Sequence, residues 1–245
     1  GGSGGFALSG TASVGSAFNI SIGSKGGEGA VSKAVNVDSS NSIKTEGMQS
    51  PGILAQSIGG SGGNGGSALT GSLSNDFSGT LTFAGSGKNG GAAGDVTVSL
   101  IQDQANITTT GASSSAIIAQ SISGNGGNGG FATSNSSSNS LSITANLSGH
   151  GGNAHDSVGK VTVNTESGSY IKTSGDSSSG IIAQSIGGNG GNSGNSIVAA
   201  LNSSPAVETG AMSIGGTADA GSGATAHAVL TAGAVTSIVI DTAGS

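Results

Sequence analysis

The tetrapeptide Ala-Gln-Ser-Ile stands at 55–58, 119–122 and 183–186, and successive copies are 64 residues apart. The flanks keep the same phase. Upstream lie Ile43, Ile107 and Ile171, followed by Thr45, Thr109 and Thr173 and by Gly47, Gly111 and Gly175. Downstream comes a glycine run: GGSGGNGG from 59, SGNGGNGG from 123 and GGNGGNSG from 187. A chain that repeats at a fixed interval is built from units that stack on their neighbours, and this interval limits the fold more than any single motif does.

Within each unit a second glycine-rich stretch falls near Gly26-Gly27, Gly90-Gly91, Gly151-Gly152 and Gly221. Short alternating segments precede it, beginning at Asn19, Leu81, Leu141 and Met212, and paired valines follow at Val35/Val37, Val96/Val98 and Val161/Val163. Period-2 runs of β-branched residues between Gly and Ser read as strands bounded by turns. Helices are excluded on the same ground: glycine supplies 50 of 245 residues, and each one inside a helix costs about 0.8–1.0 kcal/mol relative to Ala. Aliphatic residues at fixed phase argue against a disordered Gly/Ser tract. The expected class is therefore all-β, a parallel β-helix or β-solenoid of ~64-residue repeats with Gly-rich loops. A β-helix coil usually takes a little over twenty residues, so one unit is expected to make about three coils and the chain about eleven, a rod of roughly 50 Å. The whole of 1–245 reads as one solenoid segment with units at about 1–61, 62–125, 126–189 and 190–245. Both ends fall mid-repeat, at a glycine run and at Ile240-Asp-Thr-Ala-Gly244, as expected of a window cut from a longer array.

The phrase I-x-T-x-G-x-x-S-x-G-I-I-A-Q-S-I-G-G-x-G-G-N-x-G, seen best at Ile171–Gly194, resembles the repeat of very large Gly-rich autotransporter passenger proteins of Gram-negative bacteria. The likeness is good at Ile107–Gly130 and Ile43–Gly66 and weak from Ser196 to His227. It implies a right-handed parallel β-helix on the cell surface or outside the cell, with a signal peptide and an outer-membrane barrel lying outside this segment. It implies no catalytic residues.

Composition narrows the chemistry. The net charge is −6 and all six basic residues are lysine, a poor surface for nucleic acid. Cysteine is absent, which removes disulfides and thiolate chemistry and is compatible with export. The longest apolar run, Ile197–Leu201, is far short of the roughly twenty residues of a membrane span, so no membrane insertion of this segment is expected.

Motif matches are explained by glycine and serine content. Gly60-x-Gly62-x-x-Gly65 and Gly124-x-Gly126-x-x-Gly129 fit the dinucleotide fingerprint, but Phe131–Ser140 is a Ser/Asn run without the helical period that must follow. Gly59-Gly-Ser61-Gly-Gly63 fits the nucleophile elbow at about the chance frequency. Gly87-Lys88 lacks the rest of a Walker loop. Calcium nonapeptides need aspartates in the glycine turns, where Ser67, Phe131 and Asn195 stand instead. His150, His155 and Asp156 could clip a metal but occur in one unit only. A polysaccharide-cleaving site needs convergent carboxylates or Arg and sugar-stacking aromatics, and the chain has no Arg or Trp and one tyrosine, Tyr170.

In the AQSI strand, Leu54 and Ile58 share one face with Gln56, and Ile53, Ala55 and Ser57 share the other. Bulky apolar groups on both faces suggest a strand covered on both sides, by the glycine run or by another copy. Gln56, Gln120 and Gln184 could form an amide ladder. The reading is a non-enzymatic surface-displayed or secreted repeat protein, an adhesive or structural stalk, with no catalytic, cofactor-binding or metal site and no cofactor. Its expected partners are a host or neighbouring-cell surface, or copies of itself. The alternatives are a subunit of an extracellular fibre or sheath packing through Gly-rich faces, and a glycan- or ice-binding solenoid. The recurring Thr45, Thr109 and Thr173 supply no flat array for the last.

Overall fold

The computed structural model describes residues 1–102, 105–155, 158–166, 168–202, 209–216, 228–232 and 240–242. Among these the chain is all-β, with parallel strands in stacked sheets and no helix. The first unit contains β1 (Ala7–Ser13), β2 (Ala17–Ile22), β3 (Val35–Ser39), β4 (Ile43–Thr45) and β5 (Ile53–Ile58). The second contains β6 (Ala68–Ser74), β7 (Phe77–Phe83), β8 (Val96–Leu100), β9 (Ile107–Thr109) and β10 (Ile117–Ile122). The third contains β11 (Ala132–Ser138), β12 (Leu141–Leu147), β13 (Val161–Thr165), β14 (Ile171–Thr173) and β15 (Ile181–Ile186). The fourth shows β16 (Ser196–Asn202), β17 (Thr209–Ile214), β18 (Ala228–Ala232) and β19 (Ile240–Thr242).

Every strand pairs in parallel with its counterpart one unit away. Ile117 of β10 lies beside Ile53 of β5 and Ile181 of β15, and Ile171 of β14 beside Ile107 and Ile240. The resulting sheets are β1-β6-β11-β16, β2-β7-β12-β17, β3-β8-β13-β18, β4-β9-β14-β19 and β5-β10-β15. Partners such as Gln56 and Gln120 are 64 residues apart, so one unit goes round once. The expectation of three coils per unit, and with it the roughly 50 Å rod, is overturned. A twenty-residue coil would have paired residues within one unit, and the described strands pair only between units.

One circuit is a flattened two-layer loop. In the third circuit, layer one runs from β10 through the glycine run to β11. Layer two returns through β12, the mid-unit glycine stretch and β13, and β14 closes the end. Strands β6 and β11 face β7 and β12, while β5 and β10 face β8 and β13. At this second contact the interior is apolar: Ile53, Ile117, Val96, Val98, Leu100, Ile107, Val161, Val163 and Ile171 form one buried cluster, with Ile43 and Ile181 packed partly exposed against it. Each such side chain contributes about 1.5–3 kcal/mol by leaving water.

Inward residues shrink toward the glycine run. Along β10 they are Ile117, Ala119 and Ser121, followed by Ser123 and then glycine. Beyond the run, β11 points Ala132, Ser134, Ser136 and Ser138 inward. The glycines hold the two layers at hydrogen-bonding distance, so the adjoining strands have room only for small side chains. The hydroxyls and amides there bond across the gap: Thr11 Oγ1 donates to Asn19 Oδ1 (2.7 Å), Thr82 Oγ1 to Thr70 Oγ1 (2.8 Å) and Ser134 Oγ to Asn146 Oδ1 (2.6 Å). The Ser/Asn run at Phe131–Ser140, which lacks any aliphatic pattern, is therefore largely the strand β11. Stacking on β6, with Ala132 beside Ala68 and Ser136 beside Ser72, sets its register.

The recurring threonine has a local task. Thr45, Thr109 and Thr173 donate to the carbonyls of Ser50 (2.7 Å), Ser114 (2.5 Å) and Ser178 (3.2 Å) across the corner before β5, β10 and β15. That corner needs a left-handed residue, supplied by Gln49, Ser113 and Ser177 at φ 53°, 54° and 55°.

Candidate functional site

The glycine runs are not turns. Their glycines do not adopt positive φ; among described glycines only Gly168 does. Every third N–H points the same way, which is three residues per turn without internal bonds, the geometry of an extended polyproline II helix. Gly59, Gly62 and Gly65 donate along the layer to Ile122, Asn125 and Asn128 of the next circuit (2.8, 2.8 and 2.7 Å). Gly60, Gly63 and Gly66 donate across to Ala30, Gly27 and Ser24 (2.8, 2.7 and 2.7 Å), an antiparallel pairing. Layer two answers: Gly85, Lys88 and Gly91 donate to Gly66, Gly63 and Gly60 (2.8, 3.1 and 2.8 Å).

The third residue of each triplet faces outward, and its amide is capped from the circuit before. Asn64 Oδ1 accepts from Asn128 N (2.8 Å), Asn125 Oδ1 from Asn189 N (2.8 Å), and Asn128 Oδ1 from Asn192 N (2.9 Å). Ser86 and Asn89 do the same in layer two for His150 (3.3 Å) and Asn153 (2.9 Å). All three N–H groups of a triplet are thus bonded, which is what lets a segment without side-chain packing sit in the interior. Glycine is needed for space: a Cβ on Gly63, Gly127 or Gly191 would come under 3.0 Å from a backbone carbonyl of the adjoining circuit. Lys88 stands among these glycines, and its ammonium reaches Glu28 Oε1 (2.9 Å) at the surface. That hydrogen bond holds the Glu28 carboxyl below its ordinary range.

The outer face of layer one follows from this geometry. The glutamines point outward and form the amide ladder, Gln56 Nε2 to Gln120 Oε1 and Gln120 Nε2 to Gln184 Oε1, both 2.6 Å. Leu54 and Ile58 stand beside them, 53% and 54% exposed, because the glycine run continues the layer and does not fold back over the strand. This chain covers only the inner face of the AQSI strand. Next come the outward columns Ser61-Asn125-Asn189 and Asn64-Asn128-Asn192, about 9.3 Å apart along the layer with steps of about 4.8 Å between circuits. Beyond the glycines, β6 and β16 put Leu73, Ile197 and Leu201 into solvent. A regular flat array therefore exists, made of amides at the glycine layer and not of threonine. The signal for it was the G-G-N triplet, whose period of three is neither that of a strand nor that of a helix.

The chemical motifs are dispersed. Ser61 is an exposed outward residue of the glycine layer, with no strand-to-helix elbow around it. Both dinucleotide-like glycine patterns run into strands, β6 and β11, so neither opens a helix that could receive a phosphate. Ser67, Phe131 and Asn195 end the runs of layer one, and Phe131 is half-exposed there. His150 lies in the outward column of layer two and His155 farther along it, while Asp156 lies outside the described residues. Among the described residues no three His, Asp or Glu side chains gather where a metal could be held. Tyr170 is half-exposed just before β14. Comparison with protein-family models, with curated proteins and with solved structures gives no match.

Proposed function

We propose that the chain is a non-catalytic repeat protein, secreted or displayed on a cell surface, whose part is adhesive or structural, and that it is a parallel β-solenoid with one coil per 64-residue unit. The observation that carries this reading is the pairing of each strand with its counterpart in the adjoining unit, which distributes the same features along a stack. The likeness of Ile171–Gly194 to Gly-rich autotransporter passengers supports the location. The coil count alters the emphasis. A unit adds only about 4.8 Å of height but a strip of surface about 70 Å long in each layer, so the architecture favours broad contact over reach. Many weak contacts spread over such a surface give avidity.

The test is deletion of one whole unit, residues 62–125, from the protein that carries it. Attachment or assembly is expected to weaken in a graded way with the fold retained. Complete loss of function with folding intact would assign the activity to a discrete site inside that unit.

A further inference from the structure

The segments that build layer one, 1–13, 53–74, 117–138 and 181–202, contain no Lys, Arg, Asp or Glu. Charge is confined to layer two, to the corners and to the segments joining strands, as with Lys25, Glu28, Asp38, Lys88, Asp95 and Lys160. The outer face of layer one is therefore a flat, uncharged surface three to four strands deep and about 70 Å long, roughly 1,100 Å². Stable interfaces take about 800 Å² per partner, so this face is large enough to hold one.

Aliphatic residues flank the middle of this face on both sides, although β11 interrupts the second side with Thr133, Asn135 and Ser137. Aliphatic residues at β5, β10 and β15 form one band, the asparagine columns the centre, and the aliphatic residues of β6 and β16 the other band. A twofold axis through the centre lays each band on the opposite band of a second copy and amide on amide, a self-complementary contact. The relief matches too: Gly10, Gly71, Leu73, Asn135 and Ser137 line a shallow depression of about 370 Å³ in the second band, opposite the projecting Leu54 and Ile58 of the first. A lipid surface fits less well, because it would leave Asn64, Asn128 and Asn192 desolvated with no partner for their side-chain N–H groups. We infer that a second copy of this chain docks here, layer one to layer one. The inference goes beyond the stalk or adhesive reading, and its failure would leave the outcome of the unit deletion unchanged.

The experiment is sedimentation of the whole chain with two lysines placed on the face, Gln120→Lys with Thr133→Lys, against a control on layer two, Thr97→Lys. The unaltered chain and the control should dimerise at concentrations on the order of ten micromolar, and the double variant should dissociate at least ~10-fold more readily with unchanged circular dichroism. Strand edges at the ends of the stack are untouched by these changes, so end-to-end association would survive them. A second measurement does not depend on the lysine variant folding. The chain has no cysteine, and the twofold axis sets column 61 of one copy against column 64 of the other, so a chain with both Ser61→Cys and Asn64→Cys should cross-link between copies on oxidation and Thr97→Cys should not. A monomeric chain, a dimer indifferent to the lysines, or a monomer that binds phosphatidylcholine vesicles or crystalline cellulose through this face would overturn the inference.

Discussion

Gly127→Ala isolates what the glycine layers contribute. Gly127 has no positive φ, and at such a site replacing Gly by Ala ordinarily stabilises a protein by about 0.4–1 kcal/mol through the unfolded chain. Here the added Cβ would be driven into the carbonyl of Gly63, and backbone on both sides leaves no flexible group to give way. Relief requires two circuits of layer one to part, which strains the bonds from Gly62 N to Asn125 O (2.8 Å) and from Gly65 N to Asn128 O (2.7 Å). A buried donor or acceptor left unpaired costs about 1–3 kcal/mol, so disrupting two bonds is expected to cost on the order of 2–6 kcal/mol. Gly71→Ala is the internal control, since a Cβ there meets nothing within 4 Å. It should be neutral or stabilising by up to about 1 kcal/mol. Both values are read from urea unfolding followed by far-ultraviolet circular dichroism at one protein concentration. Equal midpoints for the two variants, or a Gly127→Ala protein as stable as the parent, would refute the idea that glycine is required here for space.

Three further outcomes are expected. Ile117→Asp should cost several kcal/mol in the same assay, because it leaves a charge in the apolar cluster, whereas Ser137→Asp, outward on β11, should cost under about 1 kcal/mol. Thr80 and Thr144 occupy the same place in successive circuits, but the Thr80 hydroxyl is buried without a partner while Thr144 bonds Ser136 (2.5 Å). Thr80→Val should therefore be neutral or stabilising and Thr144→Val destabilising by about 1 kcal/mol, a difference that equal shifts in melting temperature would contradict. Glu28 has its carboxyl held down by Lys88, so its contribution is present above the unfolded-state glutamate range and is lost as pH falls through the lower folded value. The pair is exposed and worth under about 1 kcal/mol, and Lys88→Met should flatten that limb of the stability–pH curve.

The 64-residue interval, the alternating segments and the isoleucines at fixed phase were legible in the chain itself, because strand propensity and period are local properties. They located the AQSI strands and the valine pairs and pointed to Ile43, Ile53, Ile107, Ile117, Ile171 and Ile181 as interior residues, of which Ile43 and Ile181, at the ends of the described apolar stack, are only partly buried. Two features were decided only by the tertiary structure. An interval identifies equivalent residues but not how often the chain turns between them; that depends on which strands pair, and Ile53 pairs with Ile117 after a single circuit. Alternation separates two faces of a strand without saying which is inside. In β2, Ala17, Asn19 and Ser21 are buried while Phe18, Ile20 and Ile22 stand in solvent, the reverse of the usual preference. The glycine layers explain that reversal. Backbone hydrogen bonds between Gly60 and Ala30 or Gly127 and Lys88 fix the separation of the two layers, and neighbouring strands can place only small hydroxyl and amide groups in the space that remains.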